Sequence, residues 1–325
     1  MKNRRFYPGA WHHIYVITRD AGVLFYRITD RLSLYTILSV FARRFRITVL
    51  GVAIMFTHLH LMVRAVDLTQ LRAFIRQVLS TFARIVNEDR DLRGNLFKRP
   101  FGSAPKTTDK EKRSSLIYLY NNPVEKKLCQ HAVEDRWTFL AYAGESFPFS
   151  TKLVKRNVRY ALRTACDFVD REEQAGRYLR PVRLRAIFEP LTRAEQEQLT
   201  DYIIQRYAFI DHNAAVSLFR SFEDLLIATD ASSGKEFEVG EVFDAQSDVA
   251  YRELCSLAAR SGLFKDWKLL HLSEEESACW VRRFRQSTSA SKRQVAKFLH
   301  LPESVEDEAS INYLTPRDEE FAYYQ

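Results

Sequence analysis

Residues 54–64 constrain the fold most, because they are apolar and β-branched enough to form a strand. Alternate side chains of a strand point to the same face. His58 and His60 therefore project side by side on one face, while Leu59 and Leu61 point into a core on the other. An apolar run of this kind does not hold two imidazoles without partners for them. The spacing predicts either half of a divalent-metal site or two half-buried histidines bonded to the backbone.

A second polar pair lies further along the chain. Residues 112–121 predict a short helix that contains Tyr118. Asn122 comes directly after this range, four residues beyond Tyr118. Positions four apart share one helix face, so the phenol and the amide point to the same place. Pro123 follows at once and is expected to end or kink the helix. Taken alone, this pattern favours a structural tyrosine in a core helix that closes with an Asn-Pro stop.

Together, the two segments supply two imidazoles, an amide oxygen and a phenol. These are the groups needed to hold one divalent metal ion and to attack a phosphodiester. A phenol has an ordinary pKa of about 10 and is a poor nucleophile at neutral pH. A divalent ion compensates by polarising a phosphoryl oxygen and orienting the scissile bond. The combination indicates metal-assisted phosphoryl chemistry, which neither segment indicates by itself.

The chain has a formal net charge of +8, and the positive charge lies toward its beginning. Residues 1–150 carry 24 Lys and Arg against 12 Asp and Glu, whereas the remainder carries 25 against 29. Residues 151–190 are still basic, so the acidic excess lies beyond them. A basic surface on the half that holds the candidate site suits a polyanionic partner such as DNA. The alternative is a basic soluble protein without a nucleic-acid partner.

One basic stretch has helical spacing. Five cations lie within a helix predicted over 152–173, at intervals of one, three or four residues: Lys152, Lys155, Arg156, Arg159 and Arg163. On a helix they would form one stripe, which predicts contacts to DNA phosphates. The alternative is an ordinary solvated helix face.

The order of the predicted elements indicates an α+β fold. The elements before the tyrosine helix are strands over 11–18 and 46–55, helices over 30–45 and 68–87, and a basic loop over 90–110. With the histidine strand they give a β-α-β-β-α order, which the tyrosine helix follows, and this order is typical of an antiparallel sheet with helices on one side. His12 and His13 lie in the first strand, where we interpret them as structural or phosphate-contacting residues rather than metal ligands.

The length of the chain favours two domains, 1–150 with the candidate site and 151–325 as a mostly helical accessory region. The apolar periodicity of the second region predicts helices at about 152–173, 192–207, 213–228, 247–261, 273–286 and 290–299. Residues 289–308 are similar to a helix-turn-helix, but its second helix would be acidic and repelled by phosphate. This segment is therefore either a degenerate DNA reader or a packing element.

The composition gives no sign of secretion or of a membrane. The chain has no run of 18 apolar residues, and its basic N-terminus has no apolar h-region. The four cysteines are too widely spaced for a zinc motif or a small disulfide scaffold. A reducing cytoplasm is therefore the expected location.

The two polar segments resemble, in their order and spacing, the single-tyrosine HUH transposases of bacterial insertion sequences, and within them the REP-associated tyrosine transposases. The family pattern Met-Pro-Asn-His-x-His-x-Leu-Val is similar to MFTHLHLMV at 55–63, and Tyr-Ile-x-x-Asn-Pro-Val is similar to YLYNNPV at 118–124. Phe56 and Thr57 depart from Pro-Asn, which affects the turn before the strand. The resemblance extends over about residues 8–145.

The resemblance implies a fold, a site and an activity. The fold would be a ferredoxin-like antiparallel sheet of the HUH nuclease type. His58 and His60 would bind Mg²⁺ or Mn²⁺, and Asn122 would complete the site. Tyr118 would be the nucleophile, with Tyr120 as its rival. DNA transposition would then proceed by cleavage and rejoining of single-stranded or hairpin DNA, through a 5′-phosphotyrosine link and a free 3′-OH.

By the same resemblance, Arg99 in the similar stretch 96–101 would contact DNA, and the protein would act in the bacterial cytoplasm as a monomer or homodimer. Two other functions fit the same residues. One is a non-catalytic, domesticated DNA-binding regulator on the same scaffold, although a regulator has no reason to keep all four site residues. The other is a metal-dependent phosphodiesterase that uses water, with Tyr118 only structural.

Overall fold

The computed structural model describes residues 6–98, 100–231 and 247–301. Among them, four strands form one antiparallel sheet: β1 (Trp11–Ile17), β2 (Thr48–Ile54), β3 (His58–Arg64) and β4 (Gly102–Lys106). The strand order is β2-β3-β1-β4, so the histidine strand lies in the middle of the sheet, paired with β2 on one side and β1 on the other. The predicted mixed α+β fold is confirmed.

The fourth strand lies within the segment predicted as a basic loop, 90–110. Its sequence, GSAPK, lacks the alternating large apolar residues by which a strand is recognised. Pro105 is compatible with this strand because, among the described strands, β4 lies at the edge of the sheet and pairs with β1 alone. The loop prediction is therefore wrong for these residues, since backbone pairing with β1 holds the strand in place rather than its own side chains.

The two faces of β3 pack against different helices. Leu59, Leu61 and Val63 belong to the main core beneath α1 (Ile28–Phe45) and α2 (Leu68–Arg90). The intervening histidines point to the other face, where one of them contacts the tyrosine helix. The predicted alternation along the histidine strand is confirmed.

The histidine face of the sheet is covered by α3 (Asp109–Glu125), so the prediction of helices on one side only is wrong. Leu116 and Tyr120 of this helix pack with Leu50 and Met62 of the sheet. The apolar side of a helix is visible in its sequence, but the sheet face that it covers is not. Because α3 lies on this face, its polar residues can meet the histidines.

The tyrosine helix is longer than the predicted 112–121. Thr108 accepts a hydrogen bond from the backbone N–H of Glu111, whose carboxylate accepts one from the N–H of Thr108, and this reciprocal cap fixes the start. Pro123 lies inside the helix instead of ending it. The backbone N–H of Lys126 still donates to a carbonyl of the preceding turn, so the helix continues despite the donor that proline lacks.

The first helices that follow residue 150 join the main core: α4 (Tyr160–Gln174), α5 (Pro181–Phe188) and α6 (Arg193–Arg206). The next two, α7 (His212–Val216) and α8 (Phe222–Asp230), pack through Ala215 and Leu225 in the smaller cluster that contains α3. Leu162 and Ile203 pack in the same cluster as the residues of α1, and the Tyr35 hydroxyl donates to the carbonyl of Ile204 at 3.0 Å. The first compact unit extends to Val249, past the predicted domain boundary at residue 150.

A second compact unit begins at Ala250. Its helices are α9 (Val249–Arg260), α10 (Glu274–Ser287) and α11 (Lys292–Leu299). The last two pack together, and the rings of Phe284 and Phe298 lie 5.5 Å apart. The predicted helical character of the chain beyond residue 150 is confirmed for the described ranges. The acidic second helix suggested within 289–308 falls outside the described residues.

Within the described ranges, no helix combines the length and the hydropathy that a bilayer crossing requires. The four cysteines all lie in these ranges, and none of them forms a disulfide.

Candidate active site

The structure brings the four predicted site residues together on the histidine face of the sheet. His58 and His60 come from β3, and Tyr118 and Asn122 come from α3 above it. All four side chains are buried, with at most 8% of each residue exposed to solvent. The i, i+2 spacing of a strand and the i, i+4 spacing of a helix therefore converge on one cluster, as the sequence predicts.

Asn122 joins the helix to the strand. Its Oδ1 lies 3.3 Å from Nε2 of His58, and its Nδ2 donates to the backbone carbonyl of Tyr118 at 3.0 Å. The amide oxygen can only accept, so the imidazole donates through Nε2. Nδ1 of His58 lies 3.1 Å from the Thr57 hydroxyl, and in the neutral ring it accepts from that hydroxyl. The amide plane and the ring are both fixed by these contacts.

Tyr118 lies beside the second histidine. Its ring centre is 5.7 Å from that of His60, with the two rings nearly perpendicular. Tyr120, the rival nucleophile, is held elsewhere: its hydroxyl donates to the carbonyl of Leu50 at 3.3 Å. Burial raises the pKa of Tyr120, and its ring belongs to the apolar cluster between α3 and the sheet. Of these two phenols, only that of Tyr118 lies against the histidines.

His60 contacts a third imidazole. Its Nδ1 lies 3.0 Å from Nε2 of His13, and both residues are fully buried. Burial lowers the pKa of His60 well below its ordinary value, and the neighbouring His58 and His13 lower it further. His60 is therefore a neutral imidazole near pH 7, and one of its nitrogens carries a lone pair.

The sequence predicts a structural or phosphate-contacting role for His13 and no role for Tyr15, whereas the structure places both against the histidines of β3. The ring of Tyr15 stacks on that of His60 at 5.0 Å and lies 5.8 Å from that of His58. His13 and Tyr15 are alternate residues of β1, which puts both on the histidine face. The alternation was visible in the sequence, but the pairing of β1 with β3 was not. His12, by contrast, is structural, since its Nδ1 lies 3.1 Å from the carbonyl of Ala10.

The donor atoms are compatible with a divalent ion. Two adjacent ligands of an octahedral ion at about 2.1 Å lie about 3.0 Å apart. Nε2 of His58 and Oδ1 of Asn122 are 3.3 Å apart. The fit depends on the amide oxygen, because no three His, Cys, Asp or Glu side chains converge on one point among the described residues. His58 and Asn122 therefore lie at a ligand spacing, and His60 is the third candidate ligand because its ring centre lies 5.1 Å from that of His58.

The Thr57 hydroxyl is compatible with His58 in either tautomer. When the neutral ring donates through Nε2 to the amide, the hydroxyl donates to Nδ1 of His58. If Nε2 bound a cation instead, the ring proton would move to Nδ1, and the same hydroxyl could accept it. The residue that departs from the family pattern at this position therefore still supports a metal-binding tautomer.

The predicted basic stripe does not exist as one helix face. Residues 155–157 form a short 3-10 turn, and α4 begins only at Tyr160. Two of the five cations turn back onto the protein because carboxylates lie beside them. Nζ of Lys155 is 2.5 Å from Asp167, and the guanidinium of Arg159 makes two hydrogen bonds to Glu195.

The other three cations of this set are exposed: Lys152, Arg156 and Arg163. The guanidinium of Arg163 lies 5.7 Å from the ring centre of Tyr160, which is 73% exposed. Within the described ranges, none of the three forms an ion pair. Arg99, the remaining predicted DNA contact, lies outside the described residues.

Comparisons with known proteins add little to this geometry. No family model matches the chain, and no curated protein matches its sequence. Among solved structures, that of a REP-associated tyrosine transposase bound to a REP hairpin is similar to part of the chain. The two are 16% identical, the alignment covers 44% of this chain and 84% of that chain, and the TM-score is 0.36. Similarity at this level does not establish a shared fold or activity.

Proposed function

We propose that this protein is a DNA transposase of the single-tyrosine HUH type, a metal-dependent enzyme that cleaves and rejoins single-stranded or hairpin DNA. The observation that carries the proposal is the convergence of Tyr118 with His58, His60 and Asn122 in one buried cluster. The strand order and the β-α-β-β-α-β sequence of elements support a ferredoxin-like class for this part of the fold.

Tyr118 is the proposed nucleophile. Its phenolic oxygen forms a bond to the phosphorus of the scissile phosphodiester, and the bond from phosphorus to the 3′ oxygen breaks. The phenol loses its proton, and the departing oxygen gains one to become a free 3′-OH. The 5′-phosphotyrosine keeps the energy of the broken ester, so a second 3′-OH can displace Tyr118 and rejoin the strand without ATP.

His58, His60 and Asn122 are the proposed holders of Mg²⁺ or Mn²⁺. When bound, the ion supplies a positive charge that polarises a phosphoryl oxygen and orients the scissile bond. The site residues themselves are two imidazoles and an amide, and the lowered pKa of His60 keeps that ring neutral. A neutral, buried donor set leaves the charge of the cation available to the phosphate.

Lys152, Arg156 and Arg163 are the proposed DNA contacts, because all three are exposed and basic. The exposed ring of Tyr160 beside Arg163 offers a surface on which an unpaired base can stack. Lys155 and Arg159, also predicted from the sequence to contact DNA, are less available to phosphate because carboxylates already pair with them. The family resemblance also predicts a DNA contact by Arg99. It further predicts a cytoplasmic location and a monomeric or homodimeric state.

A suicide-substrate assay tests the proposed function. The substrates are 3′-labelled hairpin and single-stranded oligonucleotides taken from the DNA that flanks the gene, incubated with Mg²⁺ or Mn²⁺. We expect a labelled protein–DNA adduct that survives a denaturing gel, because the 5′-phosphate of the 3′-labelled fragment stays on the tyrosine. Tyr118→Phe should lose the adduct, whereas the matched control Tyr120→Phe should keep it, since the hydroxyl of Tyr120 lies outside the site.

Other outcomes separate the alternative functions. Cleavage that persists in Tyr118→Phe without an adduct would identify a phosphodiesterase that uses water. DNA binding without cleavage in any metal would identify a non-catalytic regulator. Either result would overturn the proposed tyrosine chemistry.

A further inference from the structure

We propose that His13 is a positioning residue for the candidate metal site: it accepts a hydrogen bond from Nδ1–H of His60 and so presents Nε2 of His60 to the ion. This inference rests on the proposed function, since it concerns how the proposed ligand is oriented. It adds a residue that the family motif does not contain, because His13 lies in β1, away from both motif segments.

The sheet register places the two residues together. In the antiparallel pairing of β1 with β3, His13 is opposite Met62 and Tyr15 is opposite His60. His13 and His60 are therefore diagonal neighbours on one sheet face, a position from which long side chains reach each other. Nε2 of His13 lies 3.0 Å from Nδ1 of His60, a full hydrogen-bond contact between two buried rings.

The contact allows two proton arrangements, and only one of them permits metal binding. If His13 donates through Nε2–H, Nδ1 of His60 is the acceptor, and the single ring proton of neutral His60 is then on Nε2. If His60 donates through Nδ1–H, its Nε2 carries the lone pair that a cation needs. Acceptance by His13 therefore selects the binding tautomer, as hydrogen-bond acceptors behind ligating histidines do in known metal sites.

The other rings around His60 have different geometry. Tyr15 stacks on the face of the His60 ring, with an interplanar angle of 29°. Tyr118 meets the ring at 84° with its centre 5.7 Å away. The hydrogen-bond contact to Nδ1 comes from His13. His12, the preceding residue, serves as a matched control because its side chain bonds toward Ala10.

The test compares Mn²⁺ affinities of the full-length protein without DNA, measured by the EPR signal of free Mn²⁺. His13→Phe keeps a ring but removes the acceptor, and we expect it to weaken Mn²⁺ binding by about 10- to 100-fold. His13→Gln places an amide oxygen near the position of Nε2 and should restore affinity to within about threefold of the wild type. His12→Phe should bind Mn²⁺ as the wild type does.

Wild-type affinity in His13→Phe would overturn the inference and leave the proposed function intact. Absence of Mn²⁺ binding by the wild-type protein would instead remove the metal from the proposed function, and the inference with it. If His13→Phe does not fold, ¹⁵N spectra of the wild-type histidines with Mg²⁺ decide. A proton on Nδ1 of His60 supports the inference, and a proton on Nε2 overturns it.

Discussion

The hydrogen bond between His58 and Asn122 joins a central strand to the helix on its histidine face. Around it, the cluster consists of imidazoles, an amide and phenols, with no carboxylate among the residues named for it. Neutral groups tolerate burial better than charged ones, provided that they are hydrogen-bonded. The hydrogen bonds of the cluster therefore hold these side chains in place without a bound ion. An ion would take the place of the proton on Nε2 of His58, and the other side chains would keep their positions.

A separate histidine makes the stability of the fold depend on pH. Burial lowers the pKa of His212 to about 4, whereas an unfolded chain has a histidine pKa of about 6.5. Above pH 6.5 the ring is neutral in both states. As the pH falls from about 6.5 to about 4, the unfolded chain gains a proton that the folded chain does not, so stability falls by up to about 1.4 kcal/mol per pH unit.

His212→Gln should therefore flatten this dependence. Urea unfolding at pH 7 and at pH 4.5 measures it, since the difference in the free energy of unfolding should be smaller in the variant. Equal pH dependence in the two proteins would contradict the assigned cause.

Residues of the site were predictable from the sequence where the period of a single strand or helix determines which side chains share a face. The strand period places His58 with His60, and the helix period places Tyr118 with Asn122. His13 was not predictable, because its place depends on which strand β1 pairs with and in what register. Register is set by packing over the whole sheet, and a short stretch of sequence does not contain it.

At the scale of elements, apolar periodicity succeeded best for long, two-faced helices. The helix predicted over 68–87 is observed as Leu68–Arg90. The helix predicted over 152–173 begins only at Tyr160. In the stretch before it, burial of Leu153 and the ion pair of Lys155 with Asp167 hold the backbone in a non-helical conformation. Tertiary contacts of this kind override a regular spacing of charges.

Asp201 connects α6 to the segment that follows α3 through hydrogen bonds and an ion pair. It is fully buried, accepts from the hydroxyls of Tyr142 at 2.6 Å and Ser150 at 2.8 Å, and pairs with Arg136 at 3.2 Å. Asp201→Ala leaves Arg136 buried without this partner and should lower the free energy of unfolding by about 3–5 kcal/mol. Glu197→Ala, which removes a partly exposed partner of the same Arg136, should cost about 1 kcal/mol. Urea unfolding that gave equal losses would contradict this account.

The exposed cations between α3 and α5 should act on DNA through phosphate. Alanine at Lys152, Arg156 and Arg163 together should weaken binding to single-stranded oligonucleotides of any sequence and reduce the salt slope of affinity by about 2. The matched control, alanine at Lys155 and Arg159, should leave the slope nearly unchanged, because these cations already face carboxylates. Fluorescence anisotropy at several salt concentrations measures both. Equal slopes in the two variants would contradict the assignment.

At the scale of the molecule, the main core crosses the boundary that the sequence suggested. It runs from Ile14 in β1 to Tyr207 after α6, so α4, α5 and α6, which lie beyond residue 150, complete the packing around α1. The sequence shows that those helices are amphipathic, but it does not show which element their apolar sides cover. The shift from basic to acidic composition along the chain therefore marked a change in surface charge, and it did not mark the end of a core.

Truncation tests this organisation. A fragment of residues 1–249 should unfold in a single cooperative transition, because it contains the whole first compact unit. A fragment of residues 1–150 would expose the apolar surface of α1, including Tyr35, and should not form a monomeric folded domain. Near-UV circular dichroism and dispersed amide NMR spectra distinguish the two. A well-dispersed spectrum from the shorter fragment would contradict the continuous core.

The most direct test of the proposed chemistry is to map the amino acid that carries DNA. The trapped adduct is digested with a protease and a nuclease, and the modified peptide is sequenced by mass spectrometry. The cluster of His58, His60, Tyr118 and Asn122 predicts a 5′-linked nucleotide on the phenolic oxygen of Tyr118. A nucleotide on Tyr120, on Tyr15 or on any other residue would contradict the account.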